Sequence, residues 1–407
     1  MKGRNEVKAS LNRQICICDT TIRDSENASG VVLSNTEKYR IAKLLDNARV
    51  AQLDVGSPFT SSEEMKTVRR ISRMGLNASI MANNRAEKKD IDNSIACEVD
   101  SVSIGIPVSE VQMTRRMGKS PDWVRSKMFE TISYAVEHDL YVSCVMEDAP
   151  RASLPFLMNF ALDAKEAGAD RLAYCDSVGV EDPFTTFERV KILKQVTEMD
   201  IEIQSRNDFG LATANSLAGI KAGATFVGTT LLGIGSRAGN APLEEVALIS
   251  EEKLKMSTGI NIPALKNAAV ALSRASGRKI WESKPVLGSG CFAQEAGLSA
   301  DGSTSAIEIL EPYDPAIVGG EREVVLGKHC SVESVIYLLK SLGLGIDPDQ
   351  AEELTELVRQ NASDQHRSQT TDDLYELYQD LMSGTVFRDE EDDDDFMGSE
   401  KDRQNED

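Results

Sequence analysis

The chain has 407 residues, 41% of them hydrophobic and 5% aromatic, and a formal net charge of −21. This charge argues against nucleic acids and anionic membranes as partners, because nothing would offset the repulsion by phosphate groups. No apolar run approaches the roughly 18 residues of a membrane helix, and the N-terminus lacks an apolar signal-peptide core, so we expect a cytoplasmic protein. The odd count of seven cysteines, most of them within apolar runs, is typical of a reducing compartment.

Short β-rich segments alternate with amphipathic helical patterns eight times. The predicted strands span residues 14–19, 50–55, 77–82, 100–104, 140–146, 171–175, 201–205 and 225–229. The predicted helices between them include residues 36–47, 123–137, 155–167, 183–197 and 211–222. Alternating strands and helices indicate βαβ units, and eight units within about 240 residues predict a TIM (β/α)8 barrel. A doubly wound sheet is the alternative, but it usually has fewer strands, and the first strand–helix turn lacks GxGxxG.

The pattern changes after about residue 260, where Gly-rich irregular stretches follow one further helix and precede three more helical patterns. We predict an N-terminal extension at 1–13, the barrel at 14–260, a linker or lid at 261–330, a helical subdomain at 331–385 and an acidic tail at 386–407. Residues 389–407 hold eleven acids and two bases, and like-charge blocks of this kind are usually disordered, which is what we expect of the tail.

Arginines and carboxylates recur where the predicted strands end, which is where a barrel enzyme has its active site. We predict catalytic roles for Arg23, Asp24, Glu26 and Arg206. We predict substrate binding by Arg23, Asn27, Asp54, Glu147, Arg151, Ser177, Asn207 and Asn240. This mixture suits a small oxygen-rich anion, since arginine forks hold carboxylates and acids transfer protons or bind cations. The alternative for each single residue is that it pairs with a neighbour and fixes a loop.

Several motifs resemble those of the homocitrate synthase and isopropylmalate synthase family, especially the nitrogenase-associated homocitrate synthases. The motifs are "DTTIRDSENASGV", "CDSVGVEDPF", "NDFGLATANSLAGIKAGA", "GIGSRAGNAPLEEV", "CFAQEAGLSADG" and "VLGKHCS". The resemblance covers about residues 16–342 and implies a TIM barrel followed by a helical subdomain. It also implies condensation of acetyl-CoA with a 2-oxo acid on a divalent metal, in a homodimer.

The resemblance assigns roles to several residues of this chain. It implies that Arg23 binds the 2-oxo acid and that Asp24 is a metal ligand. Glu26 is present, while Asn27 stands where the family usually has Gln, and Asp54 where it usually has Glu. Ser177 keeps the hydroxyl of the usual Thr, and Asn240 keeps the Asn of the Gly-rich turn.

The departures concentrate on histidine. The family's His-x-His on the seventh strand is Gln204 and Arg206 here, and the two histidines of a C-terminal motif are Gln294 and Ser299. Arg cannot ligate a metal because it remains protonated, and a fixed positive charge beside a cation would repel it. We therefore expect no cofactor, with Asp24 left as a poor metal ligand, and we expect Asp24 and Arg206 to lie within about 4 Å of each other.

The sequence leaves three functions open. In the first, the chain is a homocitrate synthase-like acyltransferase for a 2-oxo acid such as 2-oxoglutarate, with a metal-free site in which Arg206 polarises the carbonyl of that acid. Alternatively, it is a non-catalytic paralogue that binds a di- or tricarboxylate or forms hetero-oligomers with a related synthase. In the third, it is an ordinary synthase whose metal is held by unexpected groups. The expected partners are a 2-oxo acid, possibly acetyl-CoA, and a second subunit.

Overall fold

The eight predicted strands form a closed parallel barrel in the order of the sequence, in a computed structural model that describes residues 2–295, 309 and 311–384. The strands are β1 (Cys16–Asp19), β2 (Gln52–Asp54), β3 (Ser79–Arg85), β4 (Ser101–Pro107), β5 (Tyr141–Glu147), β6 (Arg171–Asp176), β7 (Asp200–Ser205) and β8 (Phe226–Thr229). Pairing of β1 with β8, from Cys16 opposite Phe226 to Asp19 opposite Thr229, closes the barrel. The TIM-barrel prediction is therefore confirmed.

Helices follow the strands around the barrel, and among them are the five that the amphipathic patterns predict. The helices are α1 (Arg4–Ser10), α2 (Thr21–Asp24), α3 (Asn35–Asn47), α4 (Ser62–Ser72), α5 (Lys88–Ala96), α6 (Pro121–Glu137), α7 (Leu154–Glu166), α8 (Pro183–Thr197), α9 (Ala212–Lys221), α10 (Leu243–Glu252) and α11 (Ile262–Ser276). Several begin at caps that the sequence encodes. Ser34 accepts a hydrogen bond from the Glu37 N–H in a capping box, and the Asp182 carboxylate caps α8 just before Pro183.

The barrel strands are almost entirely buried, because helices cover their outer faces and side chains fill the interior. This explains why they appear in the sequence as short apolar runs rather than as strict alternation. Polar residues on these strands are consequently conspicuous. Glu202, Gln204 and Arg206 follow one another at every second position along and just beyond β7 and so share its inward face.

The chain forms two compact units. One comprises Met1–Cys291 with Tyr313–Glu321, and the other comprises Phe292–Pro312 with Arg322–Asp407. In the second unit, α12 (Val332–Ser341), α13 (Pro348–Gln365) and α14 (Thr371–Ser383) pack around a core of Val335, Leu339, Leu354, Val358 and Leu374. Two short parallel strands, β9 (Ala293–Gln294) and β10 (Glu323–Val324), accompany them.

The predicted helical subdomain is thus confirmed as helical. The predicted acidic tail at 386–407 and Ser299 lie outside the described residues. Across the described parts of the chain, none of the helices combines the length and apolar character needed to cross a membrane.

Candidate active site

The carboxyl ends of the barrel strands surround a cavity of about 480 Å³. The lining residues are Arg23, Asp24, Glu26, Asn27, Ser57, Thr60, Ser61, Glu64, Asn83, Val145, Glu147, Cys175, Ser177, Gln204 and Arg206. They come from the ends of six different strands, because each strand of a parallel barrel delivers its last residues to the same face. Seven of the predicted site residues therefore meet here: Arg23, Asp24, Glu26, Asn27, Glu147, Ser177 and Arg206.

Asp24 lines the cavity and is surrounded by donors. Its Oδ2 accepts hydrogen bonds from the Thr20 hydroxyl at 2.9 Å and from Asn240 Nδ2 at 3.3 Å, and Oδ1 accepts one from Asn27 Nδ2 at 3.1 Å. Arg23 Nε lies 3.3 Å from Oδ1, and Arg206 Nη2 lies 3.9 Å from Oδ2. The predicted proximity of Asp24 and Arg206 is therefore confirmed.

These donors determine the charge of Asp24. Burial acts to raise the pKa of Asp24, but Arg23 and Arg206, together with the Thr20 hydrogen bond, outweigh it and hold that pKa below its usual value. Asp24 is therefore an anion whose lone pairs are already occupied by donors.

Arg23 also pairs with Asp54, whose Oδ2 lies 2.8 Å from Arg23 Nη1. Asp54 is only 1% exposed, and burial raises its pKa to about 7 despite the opposing charge of Arg23. Burial acts to lower the pKa of Arg23, but Asp24 and Asp54 outweigh it and raise that pKa, so the guanidinium is permanently charged. Asp54 thus supports Arg23 from behind the cavity wall rather than lining the cavity itself.

Arg206 has free donor capacity. Its Nη1 is buried without a hydrogen-bond partner among the described residues. Arg206 also borders a small void of about 20 Å³, together with Thr20, Asp24, Gln204 and Asn240. That volume holds about one water molecule or one ligand oxygen. Arg206 is therefore placed to donate to an oxygen atom that enters the cavity.

Glu147 is a second group with unused capacity. Within the described part of the chain, its carboxylate has neither a hydrogen-bond partner nor an ion-pair partner, although Glu147 lines the cavity. Burial raises the pKa of Glu147, and Arg116 and Arg23 counter this only in part. Ser177, which follows the neighbouring strand β6, likewise has a buried hydroxyl without a partner among the described residues.

Three predicted site residues are held by partners in the surrounding loops and helices, and Glu26 is the one of the three that also lines the cavity. Glu26 Oε2 lies 2.7 Å from Lys38 Nζ. Arg151 pairs with Asp148 at 2.7 Å and does not line the cavity. Asn207 Oδ1 accepts a hydrogen bond from the backbone N–H at the start of α9, so this residue also lies off the cavity.

The residues at this site do not fit a divalent metal ion. The oxygens of Asp24 already accept several hydrogen bonds, and the Gln204 amide donates to Glu202 Oε1 at 2.5 Å. Arg206 occupies the position of the second family histidine and cannot ligate. Among the residues that the structure describes, no group of three or more His, Cys, Asp or Glu side chains is arranged to hold a metal.

Sequence reasoning missed some residues that line the site or support it. Thr20 stands in the motif "DTTIRDSENASGV" without a role assigned to it, and Ser57 and Lys38 are single polar residues outside the motifs. The contacts of all three depend on the fold. Glu202 carried a usable signal, because it stands two residues before Gln204 on an otherwise apolar strand and must therefore face the same way.

The comparisons with known proteins agree with this architecture. A protein-family model described as HMGL-like matches residues 14–271. The chain is 42% identical over 371 residues to 2-isopropylmalate synthase 2 of Caldanaerobacter subterraneus subsp. tengcongensis, covering 91% of this chain and 97% of that protein. It is also 42% identical over 364 residues to homocitrate synthase 1 of Nostoc sp., covering 89% and 97%.

A solved structure shares the fold at much lower sequence identity. The HMG-CoA lyase of Bacillus subtilis aligns with a TM-score of 0.60 at 15% identity, covering 66% of this chain and 96% of that one. The chain therefore belongs to the HMGL-like family, within the group of homocitrate, 2-isopropylmalate and citramalate synthases.

Proposed function

We propose that the chain condenses acetyl-CoA with a 2-oxo acid at a metal-free site in a homocitrate synthase-like reaction. The observation that carries this proposal is that one cavity holds two arginines, Arg23 and Arg206, and a carboxylate without a partner, Glu147. The names of the relatives, which are synthases of homocitrate, 2-isopropylmalate and citramalate, support this class of reaction.

The two arginines bind and polarise the 2-oxo acid. Arg206 Nη1 donates to the 2-oxo group, and Arg23 donates to the neighbouring carboxylate from the other side of Asp24. Preorganised cations stabilise the alkoxide that forms when the carbonyl carbon is attacked. Asp24 holds both guanidiniums in place and offsets part of their mutual repulsion.

Glu147 acts as the base. It removes a proton from the methyl group of acetyl-CoA, and the resulting carbanion forms a carbon–carbon bond with the carbonyl carbon of the 2-oxo acid. The proton then passes from Glu147 to the alkoxide. Water subsequently hydrolyses the thioester, releasing the carboxylic acid and the thiol of CoA. The raised pKa of Glu147 strengthens it as a base, since proton transfer follows the basicity of the acceptor.

A non-catalytic carboxylate-binding protein or hetero-oligomeric partner of a related synthase is the second candidate. Gln204, Arg206 and Gln294 favour it, because they stand where the family motifs have histidine. Both candidates predict binding of a 2-oxo acid, and thiol release separates them. We also propose that the chain acts in the cytoplasm as a homodimer or hetero-oligomer, which sedimentation of the purified protein and co-purification from its host test.

The decisive experiment compares thiol release by wild type, Glu147→Gln and a control, Glu137→Gln, across a panel of 2-oxo acids. Glu137 is exposed at the end of α6 and lies outside the cavity. We expect Glu147→Gln to lower the rate by about 10²–10⁴, the usual contribution of a positioned base, with binding of the 2-oxo acid retained. No acetyl-CoA-dependent thiol release by wild type with any acid would leave the non-catalytic candidate.

A further inference from the structure

We infer that the 2-oxo acid bound by this chain has a side chain that ends in a polar, uncharged group, such as a carboxamide or a hydroxyl. This inference rests on the proposed function, because it assumes that the carboxylate and 2-oxo group of the acid lie against Arg23 and Arg206. The side chain of the acid then extends toward the part of the cavity formed by the segments that follow β1 and β2 and by the end of β3. We call that part the distal wall, and it comprises Glu26, Ser57, Ser61, Glu64 and Asn83.

A continuous series of polar contacts connects Arg23 to the distal wall. Arg23 pairs with Asp54, and the Ser103 hydroxyl lies 3.4 Å from Asp54 Oδ2 and 3.2 Å from Asn83 Oδ1. Asn83 Nδ2 donates to the Ser57 hydroxyl at 3.1 Å. Val145 and Cys175 are the two apolar members of the cavity lining, whereas small-molecule sites are usually lined mostly by apolar side chains.

The distal wall presents both donors and acceptors. The hydroxyls of Ser57 and Ser61 accept hydrogen bonds, from Asn83 Nδ2 and from the Glu64 backbone N–H, so each hydroxyl proton remains available to a ligand. The carboxylate oxygens of Glu26 and Glu64 supply acceptors. A carboxamide or hydroxyl both donates and accepts, and it matches this surface. An alkyl group would leave these polar groups without partners when it displaced water.

The charge of the distal wall argues against a second carboxylate on the ligand. Glu26 and Glu64 share one cation, Lys38, whose Nζ lies 2.7 Å from Glu26 Oε2 and 2.8 Å from Glu64 Oε2. Lys38 is 3% exposed and does not line the cavity. The glycine at position 56 leaves space for the Glu64 carboxylate that a Cβ would fill. An anionic group at the distal wall would therefore meet two carboxylates neutralised by a single lysine.

Three acids of nearly equal size test this inference. They are 2-oxosuccinamate, oxaloacetate and 4-methyl-2-oxopentanoate, which end in a carboxamide, a carboxylate and an isopropyl group. Calorimetry should show that wild type binds 2-oxosuccinamate at least about tenfold more tightly than either of the others, because sites built for hydrogen bonding reject analogues that lack the matching group. Thiol release with acetyl-CoA is measured on the same samples.

The variant Asn83→Leu tests the role of the distal wall in this selectivity. It should lower the ratio of carboxamide to isopropyl affinity by about tenfold or more, the factor that corresponds to 1.4 kcal/mol. The control, Asn93→Leu on the outer helix α5, should leave the ratio unchanged. Equal or tighter binding of 4-methyl-2-oxopentanoate or of oxaloacetate by wild type overturns the inference.

The same data separate this inference from the proposed function. Selective binding of 2-oxosuccinamate without thiol release supports the inference and contradicts catalysis. Thiol release with the isopropyl acid as the best substrate supports catalysis and contradicts the inference. No binding of any of the three acids contradicts both.

Discussion

Two arginine–carboxylate pairs lie inside the same barrel, and they differ in nearly every physical respect. Arg171 and Glu202 are 2.7 Å apart, and both side chains are 0% exposed. Arg206 and Asp24 are 3.9 Å apart, with side chains 18% and 7% exposed, beside a cavity. Both arginines leave Nη1 without a hydrogen-bond partner in the described structure. For Arg171, the rings of Phe226 and Tyr141 lie near the guanidinium, whereas Arg206 borders a void.

Side chains on and just beyond β7 contribute both to the packed barrel interior and to the cavity. Glu202 lies on β7 and Arg206 just beyond its end, four residues apart on the same inward face, with Gln204 between them. The Arg171–Glu202 pair, which we call the lower pair, is enclosed by side chains and stabilises the barrel interior. The Arg206–Asp24 pair, which we call the upper pair, has a longer separation and lies beside the cavity. An incoming anion can therefore accept hydrogen bonds from the unused N–H groups of Arg206. A close, sealed pair indicates structure, and a loose pair beside a cavity indicates binding.

Breaking the lower pair should have the largest effect on stability. Arg171→Met leaves the buried Glu202 carboxylate without its cation, and we expect a loss of about 3–5 kcal/mol in the free energy of unfolding. Chemical denaturation measures the loss. The double variant Arg171→Met with Glu202→Met should recover most of it, because no unpaired buried charge remains. A single variant as stable as wild type would contradict the structural role of this pair.

The free energy of unfolding should depend on pH near neutrality through Asp54, the buried partner of Arg23. Its pKa is raised to about 7, so the folded state keeps a proton that the unfolded state releases near pH 4. The stability that Asp54 contributes is therefore complete below about pH 4 and is lost as pH rises through about 7. Relative to Asp54→Asn, wild type should lose at most about 1.4 kcal/mol per pH unit over that range.

The stability that Asp24 contributes should depend on pH in the opposite direction. Because its pKa is lowered in the folded state, the stability that it contributes is present above about pH 4 and is lost as pH falls through the folded pKa. Urea denaturation at a series of pH values, on wild type, Asp54→Asn and Asp24→Asn, distinguishes the two. Parallel pH profiles for all three proteins would show that neither carboxylate titrates as described.

Breaking the upper pair should affect binding. We expect Arg206→Gln to weaken the binding of 2-oxosuccinamate and of 2-oxoglutarate alike by about tenfold or more, because both acids present the same 2-oxo group to Arg206. Thermal shift at low salt measures this with millimolar acid. If wild type shows no shift while Arg206→Gln is markedly less stable without ligand, Arg206 neutralises Asp24 and binds nothing.

The smallest effect is expected at a third pair, Arg237 and Asp208, which are 2.7 Å apart but have side chains 49% and 22% exposed. Exposed ion pairs usually contribute about 0–1 kcal/mol, because water and salt screen them. Arg237→Gln should therefore change the free energy of unfolding by less than about 1 kcal/mol. A larger loss, measured by the same denaturation series, would show that distance alone and not burial ranks the three pairs.

Sequence patterns predicted the barrel well, since the eight strands alternate with helices in a regular rhythm and strand ends mark one face. They also placed Asp24 beside Arg206, because parallel strands deliver their carboxyl ends together. They did not separate residues that line the cavity, such as Glu147, from residues that hold loops, such as Arg151. That distinction depends on side-chain partners: Arg151 has Asp148 three residues away, while Glu147 has no partner among the described residues.

The contacts within the distal wall could not be predicted from the sequence either, because they also depend on side-chain partners from distant segments. Lys38 lies within α3 and faces Glu26 and Glu64, which come from two other segments of the chain. No local pattern signals such a contact. Likewise, Asn83 directly follows the third predicted strand, 77–82, but its connection to Asp54 through Ser103 requires the closed barrel.

The central claim is that Arg206 and Arg23 bind a 2-oxo acid without a metal. The most direct measurement combines elemental analysis of protein purified without chelators with calorimetric binding of 2-oxosuccinamate and 2-oxoglutarate before and after dialysis against EDTA. The account predicts well under one equivalent of zinc, manganese or magnesium, and binding that EDTA leaves unchanged. About one equivalent of metal that disappears in Asp24→Ala, or binding that returns only when a divalent ion is added, would contradict it.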